Sequence, residues 1–205
     1  MKTKQKKITL GFTDQKFDQG AHICQIFSSD EERQESLLNY LVSGINNHEK
    51  TACFTEKEKK ENFVEYFAKH GIEYEKKEHS GDFLLLKSTE IYFENGKFEP
   101  ENMLELLENF YKSSTTYNGA RVIGEIVPDI EHVEGGARLL EYESKVSLLQ
   151  KKYPVTALCQ YDAREFDGST ILDILKVHPL IIIRGKVVNN PFYIPPEEFL
   201  AKIGV

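Results

Sequence analysis

Short apolar runs alternate along this chain with amphipathic stretches that open on polar caps, and this alternation restricts the fold more than any other feature. His22-Ile-Cys-Gln-Ile-Phe27 has the make-up of a buried strand. It runs into Ser28-Ser29-Asp30-Glu31-Glu32, where Ser29 and Glu32 have capping-box spacing. A helix is predicted from near Asp30, with Leu37, Leu38, Leu41 and Ile45 on one face. Residues 51–54 repeat the pattern: a strand, a second capping box at Thr55-Glu56-Lys57-Glu58, then a helix carrying Phe63, Tyr66, Phe67 and His70 that Gly71 stops.

The rhythm continues with predicted strands at 72–74 and 83–86, a loop through Asn95-Gly96, and a helix that Pro100 opens. A strand over 120–127 is broken by Pro128. The longest helix is predicted at about 136–153, a strand at 155–161, and a helix at 169–177 that His178-Pro179 ends. The tail, with 180–183 and 187–188 around Arg184-Gly185-Lys186, suggests a hairpin or two edge strands before a last helix from Glu197. Strands alternating with helices imply an α/β fold in three layers, αβα, with a mostly parallel central sheet. Such sheets bind ligands in a crevice beyond the carboxyl ends of the strands.

At 205 residues the chain suits one domain, expected over 17–205 behind a flexible polar arm at 1–16. Its formal charge of −7 has the wrong sign for holding phosphate backbones, so direct nucleic-acid binding is not expected. No uncharged stretch approaches the roughly 20 apolar residues that span a bilayer. The basic start lacks the apolar segment of a signal peptide, and a cytoplasmic location is expected. Cys24, Cys53 and Cys159 show no C-x-x-C spacing, which favours reduced thiols over a disulfide framework or a zinc ribbon.

The predicted strand ends carry Ser28, Ser29, Thr55, Glu56, Glu125, Tyr161 and Asp162. A phosphate-binding loop needs G-x-x-x-x-G-K-[ST] between strand and helix, whereas Ile26-Phe-Ser-Ser-Asp-Glu-Glu-Arg33 has no glycine and three consecutive carboxylates. In Arg121-Val-Ile-Gly-Glu125 the two charged residues share a strand face. Either Glu125 needs a buried partner, with Arg121 the nearest in sequence, or it lies at the strand's solvated end. His22 and Cys24 share a face, and Cys53 and Cys159 occupy comparable strand interiors. They form a thiol and imidazole cluster if those strands are neighbours, and are small core residues otherwise. Gly168-Ser169-Thr170 has the composition of a helix cap, and His178 that of a helix end, so no catalytic residue, metal or cofactor is assigned.

The order of these segments resembles the methanogen/methylotroph, DcmR-type sensory domains (MEDS). The resemblance rests on Gly20-Ala-His22-Ile-Cys24 before an acidic helix start, Arg121-Val-Ile-Gly-Glu125, Leu139-Leu-Glu141-Tyr-Glu143, Leu158-Cys-Gln-Tyr161-Asp162, the stretch from Leu172 to His178-Pro179, and the closing Pro191-Phe-Tyr-Ile-Pro-Pro-Glu-Glu-Phe199. It implies a RecA/KaiC-like core without a Walker A loop, and a non-enzymatic role in sensing a small organic molecule such as a simple hydrocarbon derivative. The aromatic residue that the family often carries after the Gly-Glu pair is replaced here by Ile126-Val127-Pro128. With no segment left for an output domain, signalling is expected to pass through a separate histidine kinase or transcription regulator. A second copy of the chain is a further candidate partner. His22, Cys24, Arg121, Glu125, Tyr161 and Asp162 are the candidate ligand-binding residues. The alternative is a ligand-free protein-interaction module that regulates a kinase or transcription factor.

Overall fold

The computed structural model describes residues 6–205. A small antiparallel hairpin, β1 (Lys7–Thr9) and β2 (Lys16–Asp18), precedes β3 (His22–Phe27), α1 (Asp30–Asn46), β4 (Lys50–Phe54), α2 (Lys60–Lys69) and α3 (Tyr74–Ser80). Then come β5 (Phe83–Leu86), α4 (Ser88–Tyr92), α5 (Pro100–Lys112), β6 (Ala120–Glu125), two 3-10 turns, α6 (Leu139–Lys152), β7 (Val155–Asp162), α7 (Gly168–Val177), β8 (Leu180–Ile183), β9 (Lys186–Asn189) and α8 (Pro196–Ile203). The central sheet has the order β5-β4-β6-β7-β3-β8-β9, parallel except for the antiparallel β9 at its edge. The tail is therefore a hairpin continuous with the sheet.

Alternation along the strands splits the core into two halves. Ile23, Cys53, Ile123 and Leu158 face one side with α1, α2 and α3, while Cys24, Ala52, Val122 and Cys159 face the other with α5, α6 and α7. The hydroxyl of Ser29 accepts from the Glu32 amide at 3.4 Å, and Asp30, Glu31 and Glu32 occupy the positive end of α1. Pro100 opens α5, and Asp167 caps α7 by accepting from the Thr170 amide at 2.7 Å. Among the described residues no helix is long and apolar enough to cross a membrane.

Four local expectations change. Residues 7–18 are not a flexible arm: Ile8 and Leu10 are buried, and Thr9 and Ser43 share a hydrogen bond of 2.9 Å that ties the hairpin to α1. Gly11 makes that docking possible, because its φ is +87° and any β-carbon there would overlap the Asn39 carbonyl. Residues 1–5 of the expected arm lie outside the described residues. The Thr55 hydroxyl accepts from the Lys57 and Glu58 amides at 3.2 and 3.3 Å, but closes a turn, and α2 begins only at Lys60. Residues 72–74 form no strand, since Ile72 and Tyr74 bury themselves while leading into α3. Finally, α1, with 17 residues, exceeds the 14 of α6, which a 3-10 turn at Gly136–Arg138 shortens.

A buried histidine, cysteine and glutamate cluster as the candidate functional site

The carboxyl ends of the strands form a crest of ion pairs. Glu125 ends β6 and is buried; its Oε2 accepts from the Thr55 hydroxyl at 2.8 Å and from the Glu56 and Lys57 amides at 3.1 and 3.3 Å. Asp162 ends β7 and is held by Lys57 and by Arg164, whose Nε and Nη2 donate at 2.8 and 2.6 Å. The Arg164 guanidinium, helped by Lys57, keeps the Asp162 carboxyl well below the usual carboxylate range despite its burial. Arg164 also reaches Asp30, and Arg33 is paired with Glu58. An open cleft of about 640 Å³ lies between these groups. Its three cations, Arg33, Lys57 and Arg164, are all committed to carboxylates of the same chain, five of them in all, so the crest keeps a net negative charge.

Arg121 does not reach Glu125, because four residues of strand separate them by about 13 Å. It lies at the opposite end of β6, fully buried. Its Nε donates to Glu49 at 2.6 Å, its Nη1 to the Tyr40 carbonyl at 2.9 Å and its Nη2 to the Thr9 carbonyl at 3.2 Å. The guanidinium also stacks over the Tyr40 ring at 4.8 Å. This arrangement requires Gly44: a β-carbon there would lie 2.5 Å from Arg121 Cδ and 2.7 Å from Thr51 Cγ2. Glycine to alanine inside a helix usually gains about 1 kcal/mol. Here Gly44→Ala is expected to lose about 1–3 kcal/mol through overpacking, read as a lower urea midpoint.

His22, Cys24 and Tyr161 meet elsewhere, on the sheet face covered by α6 and α7. In the β3–β7 register Cys24 lies opposite Cys159, with His22 and Tyr161 on the same face two residues to either side. Into this face α6 projects Glu143, and His178 follows α7. The Glu143 carboxylate is the hub. Its Oε1 accepts from the Tyr161 hydroxyl at 2.6 Å, and its Oε2 lies 3.2 Å from His22 Nε2, 3.5 Å from His178 Nε2 and 3.7 Å from Cys159 Sγ. Cys159 Sγ is 3.6 Å from His22 Nε2, and the two imidazole centroids are 4.4 Å apart. All five side chains are buried. The other ring nitrogens are anchored, His22 Nδ1 to the Ser147 hydroxyl at 2.9 Å and His178 Nδ1 to the Ile174 carbonyl at 2.8 Å.

Burial, reinforced by the neighbouring His178, lowers the His22 pKa to about 4, so the ring is neutral at pH 7. Burial works against ionisation of Glu143, but the two histidines outweigh it and hold this carboxyl well below its usual range. The Cys24 and Cys159 thiols are pushed well up by burial and by the same carboxylate. His22, Glu143, Cys159 and His178 are the residues with metal-ligating chemistry, their donor atoms lying within 4.8 Å of one another. Cys24 adjoins this set without belonging to it, and Cys53 lies on the other face of the sheet.

Glu143 and His178 were not among the residues singled out for function. The signal for Glu143 was present: it falls four residues after Leu139 and three before Val146, on the buried stripe of α6. His178 does close α7, as its position before Pro179 suggests, but only one ring nitrogen is needed for that.

A second surface groove, of about 670 Å³, lies at the amino-terminal side of β3 rather than at the crest. It runs between the β1–β2 hairpin, α6 and the β8–β9 hairpin. His22 and Ser147 form its floor, with Phe17, Leu180, Gln150 and Tyr193 among its walls.

The chain is 14% identical to a KaiC-like protein from the hyperthermophilic archaeon Pyrococcus horikoshii OT3, over 87% of this chain and 80% of that one, with a TM-score of 0.61. Flagellar accessory protein FlaH from Methanocaldococcus jannaschii is 12% identical over 90% of this chain and 84% of that one, with a TM-score of 0.65. These likenesses establish the RecA/KaiC-like fold. The transcriptional repressor DcmR of Methylorubrum extorquens is 31% identical over 97 residues, which make up 45% of this chain and 36% of the repressor. The match thus spans about a third of that repressor's length. The family model for the methanogen/methylotroph, DcmR sensory domain matches residues 21–179, from the residue before His22 to the residue after His178, and the chain belongs to that family.

Proposed function

We propose that this sensory domain is non-enzymatic, binds a small organic molecule in the groove beside His22, and signals through a separate regulatory protein. The observation that carries this reading is the position of His22, which floors the groove and at the same time abuts Glu143 in the core. A ligand touching the His22 and Ser147 pair disturbs the carboxylate hub, and with it the packing of α6 and α7. The groove's mixture of aromatic, aliphatic and amide walls suits a small, weakly polar molecule of the hydrocarbon-derivative class. Occupancy shifts the protein only as far as the ligand distinguishes two packings of these helices.

The output surface in this reading lies near His178. The Asn190 amide donates to the Leu175 and His178 carbonyls at 2.5 and 2.7 Å, which couples the end of α7 to the segment after β9. Leu172 and Phe192 on these two segments are exposed, at 58% and 59%, and offer apolar contacts to a partner such as a kinase or transcription regulator.

Thermal unfolding in a panel of small alcohols, halomethanes and amines tests the reading. A ligand at one hundred times its Kd adds about 2.7 kcal/mol, which raises Tm by roughly 5–10 °C for a domain of this size. Val188→Trp at the groove rim should abolish that shift, and Asp162→Asn at the crest should leave it intact. A panel without any stabilising compound refutes the proposal, as does a shift that disappears with the crest variant and survives the rim variant.

A further inference from the structure

We propose that His22, Glu143, Cys159 and His178 bind a single zinc-class divalent ion in the core of the domain. This assignment does not depend on what fills the groove.

The donor spacing is the first argument. Tetrahedral zinc with bonds of about 2.0–2.3 Å places its ligand atoms at edges of roughly 3.3–3.8 Å. Four of the six edges here are 3.2 Å from His22 Nε2 to Glu143 Oε2, 3.5 Å from His178 Nε2 to the same oxygen, 3.6 Å from Cys159 Sγ to His22 Nε2, and 3.7 Å from Cys159 Sγ to Glu143 Oε2, and all six lie within 4.8 Å. An imidazolium that simply paired with Glu143 would close to about 2.7–2.9 Å. At 3.2 and 3.5 Å the two imidazoles lie at and beyond the long end of such pairing, within the range of ligand edges around one ion.

Proton placement is the second. His178 Nδ1 faces the Ile174 carbonyl and must donate to it, so in the neutral ring Nε2 presents a lone pair to the cluster. That atom is buried and makes no hydrogen bond among the described residues. It lies 3.5 Å from the carboxylate oxygen, close enough for one ion to be ligated by both atoms.

Supporting contacts and charge complete the case. Ser147 and Ile174 orient the two histidines, and Tyr161 orients Glu143 through its other oxygen, the kind of outer contact that fixes ligands around a metal. A carboxylate, a thiolate and two neutral imidazoles around a divalent ion sum to zero, which suits a site closed to solvent. The N2OS donor set favours zinc over harder ions such as magnesium or calcium, and binding releases the Cys159 proton. Four protein ligands leave no open coordination position, so the ion ties β3, β7, α6 and the end of α7 together rather than performing chemistry. His22, on the groove floor, supplies the path of entry.

The full chain, stripped with a chelator and shown by circular dichroism to remain folded, should take up one zinc per chain in a calorimetric titration, with a rise in Tm. Cobalt in place of zinc should give the visible bands of a tetrahedral centre and a sulfur-to-cobalt charge-transfer band. Cys159→Ala should remove the charge-transfer band and weaken binding on the order of 100-fold or more, beyond the outer-contact effect of 10–100-fold. Cys24→Ala should retain both. Folded protein that takes up no stoichiometric zinc overturns the proposal. So does binding that persists unchanged in both Cys159→Ala and His178→Ala, or a sulfur band that vanishes with Cys24→Ala and survives Cys159→Ala.

Discussion

Replacing Arg121 with methionine is expected to lower stability by about 3–5 kcal/mol, the usual cost of removing one partner from a buried ion pair. The side chain is completely buried and serves three acceptors that belong to different segments: Glu49 after α1, the Tyr40 carbonyl within α1, and the Thr9 carbonyl in the amino-terminal hairpin. The methionine would fill part of the volume but leave Glu49 as a charge that is 2% exposed, without its cation. For a domain of this length that loss corresponds to a Tm lower by roughly 6–20 °C. The double substitution Arg121→Met with Glu49→Leu should recover much of the deficit, because no orphaned charge remains, and the recovery separates the ion pair from simple packing. A single variant within 1 kcal/mol of the parent in urea unfolding would refute this account of Arg121.

The same residue marks the limit of what the sequence discloses. Its placement with Glu125 on one strand face was legible, since alternation along a strand is local. Its partner was not: Glu49 lies 72 residues away, and only the packing of α1 across β4 and β6 brings it near. The apolar strand runs, the caps at Ser29 and Pro100 and the end of α7 before Pro179 were readable for the same local reason. The hairpin at 7–18 was hidden because Ile8 and Leu10 sit among lysines and turn residues, and their burial depends on a dock formed by α1. Cys24 and His22 were legible as a pair on one face. The cluster they join was not, because its hub comes from α6 and its second imidazole from beyond α7.

Glu143→Leu should be the second large effect, a loss of about 2–4 kcal/mol in chelator-stripped protein, or roughly 4–16 °C in Tm. The leucine removes the one acceptor of the buried Tyr161 hydroxyl among the described residues, and an orphaned buried donor costs about 1–3 kcal/mol. It also removes the anion beside two imidazoles that occupy the same pocket. Against these losses stands relief from burying a carboxylate that is 0% exposed, which keeps the expected figure below the sum of the parts. Glu143→Gln retains an oxygen for Tyr161 and should cost less, about 1–2 kcal/mol. Tyr161→Phe combined with Glu143→Leu should be less damaging than the two single losses added together, with a coupling of about 0.5–3 kcal/mol, because the second change deletes the donor that the first orphaned. Strict additivity would separate the tyrosine from the hub. A Glu143→Leu protein as stable as its parent would mean that the buried carboxylate costs the fold as much as its contacts return. With the hub in place, the helix that reaches the groove floor through Ser147 and the helix that ends at His178 are joined through one side chain, so a change at His22 is felt by both.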